Sequence, residues 1–227
     1  NFNRINLFSK YSGSLNNKDQ ISLLASYFES SWDASGQIPI RAVDQIGRFG
    51  AIDDTEGGST GRTNVRLGYN KYLSENSFVK SSIFYSKYDF ELYSNFTFFL
   101  NDPEFGDQIR QKESRDIVGI NTSYNRFYKL NDYTGNFEIG IQVRNDRISN
   151  NELSDTRNRV ETENQRILGD INETNAGLFA NAIFNFGKLV VNPGVRLDHF
   201  NFEYYDRLQP TYETQSEQKL ALSPKLN

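Results

Sequence analysis

Apolar and polar residues alternate one by one along most of this chain. The clearest example runs through Phe137, Ile139, Ile141 and Val143, with polar or small residues at the positions between them. Because successive side chains of a strand point to opposite faces, a period of two predicts strands with one apolar and one polar face. The recurring pattern predicts strands at 3–12, 19–31, 61–73, 77–99, 113–129, 135–149, 170–186 and 189–205, with a ninth that begins near Glu217.

The connections between these predicted strands alternate between short and long. Short connections are rich in turn-forming residues, whereas long connections are polar and without a clear period. The short ones lie at 13–18, 74–76, 130–134 and 187–188, and the long ones at 32–60, 100–112, 149–169 and 206–216. In an up-and-down antiparallel sheet every second connection lies at the same end. We therefore expect tight turns at one end of the sheet and long loops at the other.

The segment 77–99 is the least regular of the predicted strands. Its aromatic residues place the apolar face on the even-numbered positions, although Val79, Ile83 and Tyr85 occupy the other face. Lys80 then lies on the apolar side, where its long stem would let the ammonium group reach a water boundary. The residues assigned to the apolar face are Phe78, Phe84, Tyr88, Phe90 and Leu92.

Aromatic residues are frequent, with 18 Phe, 13 Tyr and 1 Trp, and many lie near the ends of predicted strands. Two belts of aromatic side chains, long alternating strands and loops of unequal length are typical of a β-barrel that spans an outer membrane. At the short-turn end we place Tyr72, Phe78, Phe127, Tyr128, Phe137, Phe184 and Phe186, and at the loop end Phe28, Trp32, Phe90, Tyr93, Phe200, Phe202, Tyr204 and Tyr205.

Composition narrows the classes of function. The net charge of −4 disfavours a nucleic-acid-binding protein, and the absence of Cys excludes disulfides and thiolate metal sites. A single histidine, His199, argues against a catalytic triad, so we predict no catalytic residue, no resident metal and no cofactor. No apolar run is long enough for a transmembrane helix.

Two other architectures fit the same alternation. A complete barrel of eight strands, with an adhesive or structural role, would have to pair its inward-facing charges tightly because its interior is just filled by side chains. A soluble all-β binding domain would instead bury the apolar face as its core. Solubility without detergent distinguishes this second alternative from a membrane barrel.

Several stretches resemble one family. They are W-D-A-S-G-Q-I-P-I-R-A-V at 32–43, I-G-R-F-G-A-I-D-D-T-E-G-G-S-T-G-R at 46–62, S-K-Y-D-F-E-L-Y-S-N-F-T-F-F-L-N-D-P at 86–103, V-N-P-G-V-R-L-D-H-F at 191–200 and L-S-P-K-L-N at 222–227. In this order they resemble outer loops and strands of TonB-dependent receptors of Gram-negative outer membranes.

The resemblance implies an all-β, antiparallel transmembrane barrel of 22 strands that encloses a plug domain. It also implies a TonB box contacted by an energising complex, and import of a scarce nutrient such as a siderophore, cobalamin or a similar chelate. We expect residues 1–227 to be an interior portion of such a barrel, with about 8–9 of its strands and with neither the plug nor the TonB box.

Ligand capture is expected on the long loops, where function concentrates on a rigid scaffold. Trp32, Arg41, Arg48 and Phe49 are the candidates, because guanidinium groups suit an anionic ligand and aromatic rings suit stacking.

Polar-face charges are expected to line the lumen and contact the plug. They are Arg66, Arg144, Asp146, Arg196 and Asp198. Two acidic groups invite comparison with calcium sites, but solvated loop tips are the simpler interpretation. These groups are Asp53, Asp54 and Glu56 in one loop, and Asp102, Glu104 and Asp107 in the next.

Overall fold

A computed structural model describes residues 1–131 and 133–227 of the chain, and within them ten strands form one antiparallel sheet. Asp132, in the predicted turn 130–134, lies outside the described residues. The strands are β1 (Phe2–Leu15), β2 (Asp19–Asp33), β3 (Gly57–Ser74), β4 (Ser77–Ser94), β5 (Ile109–Leu130), β6 (Tyr133–Arg157), β7 (Glu161–Asn185), β8 (Val190–Val191), β9 (Pro193–Asp206) and β10 (Gln215–Leu226).

The strands follow one another through the sheet in chain order, from β1 to β7 and then β9 and β10, while the short β8 pairs beside β7. This arrangement confirms the predicted up-and-down sheet, and each predicted strand corresponds to an observed one. We call the end with the β3–β4 connection the turn end, and the end with residues 34–56 the loop end.

Two long connections differ from the prediction. The predicted connection 149–169 is mostly strand, because β6 continues to Arg157 and β7 begins at Glu161, so this hairpin projects beyond its neighbours. The connection 34–56 contains a short helix, α1 (Ile40–Ile46), which the sequence pattern did not indicate. Within the described residues, no helix is long and apolar enough to cross a membrane.

The register of the sheet places apolar residues of different strands side by side. Leu23 pairs with Leu67, Leu67 with Ile83, Ile83 with Ile120, and Ile120 with Val143. Paired residues share a face, so these side chains form one apolar row across five strands. We call this the outer face and its polar counterpart the inner face.

Burial in this sheet is inverted relative to a water-soluble protein. Outer-face residues such as Ile139 and Val195 are 50% and 45% exposed, while Asp146 and Asp198 on the inner face are only 3% and 7% exposed. A continuous exposed apolar surface of this kind needs a hydrocarbon environment. On β6 the apolar positions extend from Tyr133 to Val143, which matches the roughly 9–11 residues that a tilted strand needs to cross the membrane core.

The assignment of faces in β4 was wrong. Ile83 and Tyr85 pair with outer-face residues of β5, so the odd-numbered positions of β4 form its outer face. Phe84 pairs with Gly119, and Lys80 pairs with Ser123, which places both on the inner face. The error arose because the inner face of β4 carries several aromatic rings, which sequence alone cannot distinguish from lipid-facing ones.

The predicted aromatic belts are partly correct. Of the residues assigned to the belts, Tyr128, Phe137 and Phe184 at the turn end do lie on the outer face. Two tyrosines that were not assigned to a belt, Tyr69 and Tyr85, also lie there and donate hydrogen bonds to the carboxylates of Asp19 and Asp116, at 2.7 and 2.5 Å. Other aromatic residues assigned to the belts instead lie on the inner face, because the register fixes their side of the sheet. Those on the inner face are Phe28, Trp32, Tyr72, Phe78, Phe90, Phe127, Phe200, Phe202 and Tyr204.

Candidate ligand-binding face and loop cluster

The five charged residues predicted for the lumen all lie on the inner face. Arg144 binds Asp146 with two hydrogen bonds of 2.6 Å, and Arg196 binds Asp198 with two of 2.7 Å. In both cases the partners are two residues apart on one strand, so the alternation of the strand brings them together. Arg66 stands apart from them, and its nearest polar contact is the hydroxyl of Ser82 at 3.3 Å.

The ion pairs of β6 extend to a neighbour that the sequence analysis missed. Arg115 on β5 lies 3.7 Å from Asp146 and 3.3 Å from Glu113. The alternation of β5 indicated that Arg115 shares a face with Gly119, but the pairing with Asp146 depends on the register between β5 and β6. Charges on this part of the inner face are therefore largely neutralised within the sheet.

Aromatic rings cover glycines on the inner face. A Cβ atom added to Gly140 would lie 2.4 Å from the ring of Phe179, and one added to Gly119 would lie 2.4 Å from the ring of Phe84. Glycine in the middle of a strand often marks a close approach of this kind. The two rings lie against the sheet and give the inner face apolar patches between its polar groups.

The four predicted ligand-binding residues lie at the loop end but in two places. Trp32 is near the end of β2, in register with Gly58, whereas Arg41 lies in α1 and Arg48 and Phe49 follow that helix. Phe49 is 94% exposed. In the described part of the chain, Arg41 and Arg48 form no side-chain hydrogen bond and no ion pair, so both guanidinium groups are available to solvent.

Three polar side chains fix the long loops to each other. Asp53 accepts hydrogen bonds from Thr55, from the Asn95 amide at 2.8 Å and from the Gln108 amide at 3.3 Å. Asp53 belongs to the loop 34–56, while Asn95 and Gln108 begin and end the loop 95–108. Together with Arg159 we call these residues the loop junction.

Arg159 brings the tip of the β6–β7 hairpin into the loop junction. Its guanidinium donates hydrogen bonds to the carbonyl oxygens of Thr55 and Glu56 and lies 3.2 Å from the Asp33 carboxylate. Its backbone N–H donates to the Gln108 side-chain oxygen at 3.0 Å. The junction therefore ties the hairpin and both long loops into one unit.

Carboxylates of the first acidic group have different surroundings. Burial raises the pKa of Asp53, but hydrogen bonds from Thr55, Asn95 and Gln108 outweigh it and hold the pKa below its ordinary value. Burial also raises the pKa of Glu56, and although the Asn95 backbone N–H opposes this, the pKa stays above its ordinary value. Glu56 is 5% exposed, and its Oε1 atom has no hydrogen-bond partner among the residues that the structure describes.

The second acidic group organises its own loop. Asp107 accepts hydrogen bonds from the backbone N–H groups of Asn101 and Asp102 at 3.0 and 2.8 Å, and Asp102 accepts them from Glu104 and Phe105. Hydrogen bonds from Thr97 and these backbone groups lower the pKa of Asp107 to about 2. Among residues 1–131 and 133–227, no three acidic or histidine side chains are placed to hold a metal ion.

Comparisons with known proteins agree with the fold. A sequence model of the family described as TonB dependent receptor-like, beta-barrel, matches residues 2–227. No curated protein matches the chain. Among solved structures, the ferric citrate transporter FecA in its unliganded form is 14% identical with a TM-score of 0.83, covering 99% of this chain and 33% of FecA.

Two further receptors have the same architecture. The siderophore receptor PiuA from Acinetobacter baumannii is 8% identical with a TM-score of 0.71, covering 99% of this chain and 39% of PiuA. The alcaligin receptor FauA from Bordetella pertussis is 9% identical with a TM-score of 0.69, covering 99% of this chain and 32% of FauA.

This chain therefore spans about a third of the length of these structures, and identities this low establish the fold alone. The family match extends over nearly the whole chain and agrees with the two-faced sheet. The chain belongs to the TonB-dependent receptor-like β-barrel family, and its barrel lies in the bacterial outer membrane.

Proposed function

We propose that this chain is part of a receptor that imports a scarce nutrient, such as a siderophore, cobalamin or a similar chelate, across the outer membrane. The observation that carries the proposal is the family match over residues 2–227 on a sheet with an apolar outer face and a charged inner face. FecA is named as a ferric citrate transporter and PiuA as a siderophore receptor. Transport rather than an enzymatic reaction is therefore the role proposed here.

In this proposal, residues 1–227 form part of a larger barrel of 22 strands that encloses a plug domain. The ion pairs Arg144–Asp146 and Arg196–Asp198 face the lumen and contact the plug, with Arg66 on the same face. A TonB complex supplies the energy for movement of the plug. This larger barrel is favoured over a closed eight-stranded barrel, because the inner face carries rows of charged and polar side chains that a filled interior could not accommodate.

Ligand capture in this proposal occurs at the loop end. Arg41 and Arg48 present exposed guanidinium groups, and Phe49 presents an almost fully exposed ring close to them in sequence. Trp32 contributes a second aromatic surface at the end of β2. The loop junction supports this arrangement because it holds the long loops in a fixed position above the lumen.

The proposal is tested by transport into living cells. Cells that carry the natural protein, compared with cells that lack it, are expected to accumulate radioactive iron from ferric citrate, ferric catecholates or ferric hydroxamates, or labelled cobalamin. Arg41→Ala with Arg48→Ala should reduce accumulation of the transported compound. The matched control, Lys18→Ala with Lys129→Ala, removes the same charge at the turn end and should have no effect.

Two results would overturn parts of this account. If no chelate accumulates above the level of cells without the protein, the transport function is wrong. If transport is normal but unaffected by the paired arginine substitutions, the capture role of the α1 loop is wrong while the transport function stands.

A further inference from the structure

The inner face of β1–β4 carries five cationic side chains and no carboxylate. Alternate positions on these four strands share the inner face, as fixed by the pairing of Lys10 with Leu24, Leu24 with Arg66, and Arg66 with Phe84. None of the residues at those positions is Asp or Glu. The five cations are Arg4, Lys10, Arg62, Arg66 and Lys80, which we call the cationic strip.

The rest of the inner face is different. On β5, β6 and β9 the arginines are matched by nearby acids, as in Arg144 with Asp146 and Arg196 with Asp198. The chain as a whole has a net charge of −4, so the excess of cations on β1–β4 does not follow from overall composition. Inner-face lysines also occur outside these four strands, at Lys129 on β5 and at Lys219 and Lys225 on β10. Each of those two strands also carries an inner-face carboxylate, Glu113 on β5 and Glu217 on β10. Cations without any carboxylate are a feature of β1–β4.

Residues of the cationic strip have only neutral partners in the described part of the chain. Arg62 contacts the Asn64 oxygen at 3.2 Å and the Ser86 hydroxyl at 3.4 Å. Arg66 contacts the Ser82 hydroxyl at 3.3 Å, and the Arg4 guanidinium lies 5.2 Å from the centre of the Phe28 ring. None of the five forms an ion pair with a described residue.

The strip follows the strands rather than forming a compact patch. In register with β3, Arg4 lies level with Thr60, Lys10 is level with Arg66, and Lys80 is level with Asn70. At roughly 3.3 Å per residue, the distance along β3 from Thr60 to Asn70 is about 33 Å. Cations therefore occur at intervals from the loop end towards the turn end.

The lower part of the strip borders a cavity of a size suited to a small ligand. A cavity of about 230 Å³ is lined by Arg66, Lys80 and the polar side chains of Ser82, Asn121 and Gln142, with Glu138 also on its wall. Clustered cations with hydroxyl and amide donors bind carboxylate and other anionic oxygens. An acidic protein surface would need a broad complementary patch, whereas a narrow strip with a small cavity fits a small anion better.

We propose that the cationic strip binds and guides an anionic metal chelate, one that carries carboxylate or catecholate oxygens and a net negative charge. This inference rests on the proposed transport function and assigns its substrate class. Arg62, Arg66 and Lys80 determine specificity by supplying positive charge along the path. An excess of positive charge along one part of a channel wall also concentrates an oppositely charged ligand and speeds its association.

The test uses the natural protein in isolated outer-membrane vesicles and four labelled probes. Ferric citrate and a ferric tris-catecholate are anionic, while a ferric trihydroxamate and cobalamin serve as uncharged probes. The variant Arg62→Gln, Arg66→Gln, Lys80→Gln removes three charges from the strip. The control Lys87→Gln, Lys112→Gln, Arg147→Gln removes three positive charges from the outer face and the projecting strands.

The natural protein should bind an anionic probe most tightly, and binding should weaken as salt is raised. The strip variant should lose about tenfold or more in affinity for that probe, whereas the control should retain it. Heat-modified migration on gels checks that both variants are folded.

The other possible results distinguish a failure of the anion inference from a failure of the transport function. Preference for an uncharged probe, or an anion affinity that the strip variant leaves unchanged, overturns the anion inference while leaving transport intact. Equal loss for charged and uncharged probes assigns the strip to plug docking and also overturns it. If none of the four probes binds, the transport function itself fails.

Discussion

The side-chain oxygen of Gln108 accepts a hydrogen bond of 3.0 Å from the backbone N–H of Arg159, although the two residues are 51 positions apart. The same amide donates through Nε2 to Asp53 at 3.3 Å. Gln108 is 3% exposed, so both ends of its amide are satisfied away from water. This one side chain joins the β6–β7 hairpin to the two long loops that carry the candidate ligand-binding residues.

Removing the Arg159 side chain should loosen the loop junction. Arg159→Ala deletes hydrogen bonds to the Thr55 and Glu56 carbonyls, each worth about 1 kcal/mol or more because a charged donor is lost. We expect amide hydrogen exchange in residues 34–56 and 95–108 to increase about tenfold or more, with the strands unchanged. The control Arg166→Ala removes an arginine from the same hairpin and should leave both loops protected; equal exchange in the two variants would contradict the role of Arg159.

Ionisation of Glu56 should make the loop 34–56 less stable as the pH rises. Because burial raises the pKa of Glu56 above its ordinary value of 4.5, the folded loop binds this proton more tightly than the unfolded loop. Its contribution is fully favourable below pH 4.5 and is lost as the pH rises through the raised pKa. Glu56→Gln should therefore slow proteolysis of the loop at neutral pH and flatten its pH dependence.

Gly36 lets the loop pack directly against the Glu56 carboxylate. A Cβ atom there would lie 2.3 Å from the Glu56 carboxylate, and Gly36 has a φ of +61°, so the loop closes tightly over the acid. Asp54→Asn, which changes an exposed carboxylate in the same loop, serves as the control. The explanation fails if Asp54→Asn and Glu56→Gln alter proteolysis equally, or if Glu56→Gln accelerates cleavage at neutral pH.

Asp107 should have the opposite pH dependence. Its pKa is lowered to about 2 from an ordinary value of 3.8, so its stabilisation of the 101–107 turn is present above pH 3.8 and is lost as the pH falls towards 2. Asp107→Asn should expose the Asn101 and Asp102 amides to faster hydrogen exchange at neutral pH. Glu104→Gln in the same turn is the control, since its carboxylate accepts none of these bonds; protection that survives Asp107→Asn would refute the assignment.

Gly140 is predicted to be far less tolerant of substitution than Gly61. A Cβ atom at Gly140 would meet both the Phe179 ring at 2.4 Å and the Thr122 backbone oxygen at 2.8 Å, while one at Gly61 would have no heavy atom closer than 3.9 Å. Overpacking of this kind costs about 1–3 kcal/mol. Unfolding in urea from lipid vesicles should show Gly140→Ala destabilised by that amount and Gly61→Ala nearly unchanged; equal midpoints would contradict the packing of Phe179.

The existence and order of the strands could be predicted from sequence because lipid on one side imposes strict alternation, as at 137–143. The alternation of apolar and polar residues ends where the strands leave the membrane. Residues 150–157 of β6 do have a buried face, but the buried positions Glu152, Ser154 and Thr156 are polar. No apolar alternation marks this part of the strand, so the sequence pattern predicts a loop there. Helix α1 was missed for a related reason: one short exposed helix has no buried face to impose a period.

The candidate site was predictable only in part. Alternation placed Arg144 and Asp146 on one face, because that requires knowledge of a single strand. The loop junction required knowledge of several elements at once, since Asp53, Asn95, Gln108 and Arg159 lie in three separate connections or strand ends. The cationic strip likewise emerged only once the register had set the faces of β1–β4, which corrected the position of Lys80.

The orientation of the sheet in the membrane is tested most directly by nitroxide spin labels in the natural protein reconstituted into lipid vesicles. Labels at Ile139 and Val195 on the outer face are compared with labels at Lys80 and Gln142 on the inner face, using oxygen as the lipid-soluble relaxant and a nickel chelate as the water-soluble one. We predict that the outer-face labels respond strongly to oxygen and weakly to nickel, with weaker oxygen contact at the inner-face positions. Outer-face labels shielded from oxygen, in a protein that stays in solution without detergent, would contradict the membrane barrel and the transport function built on it.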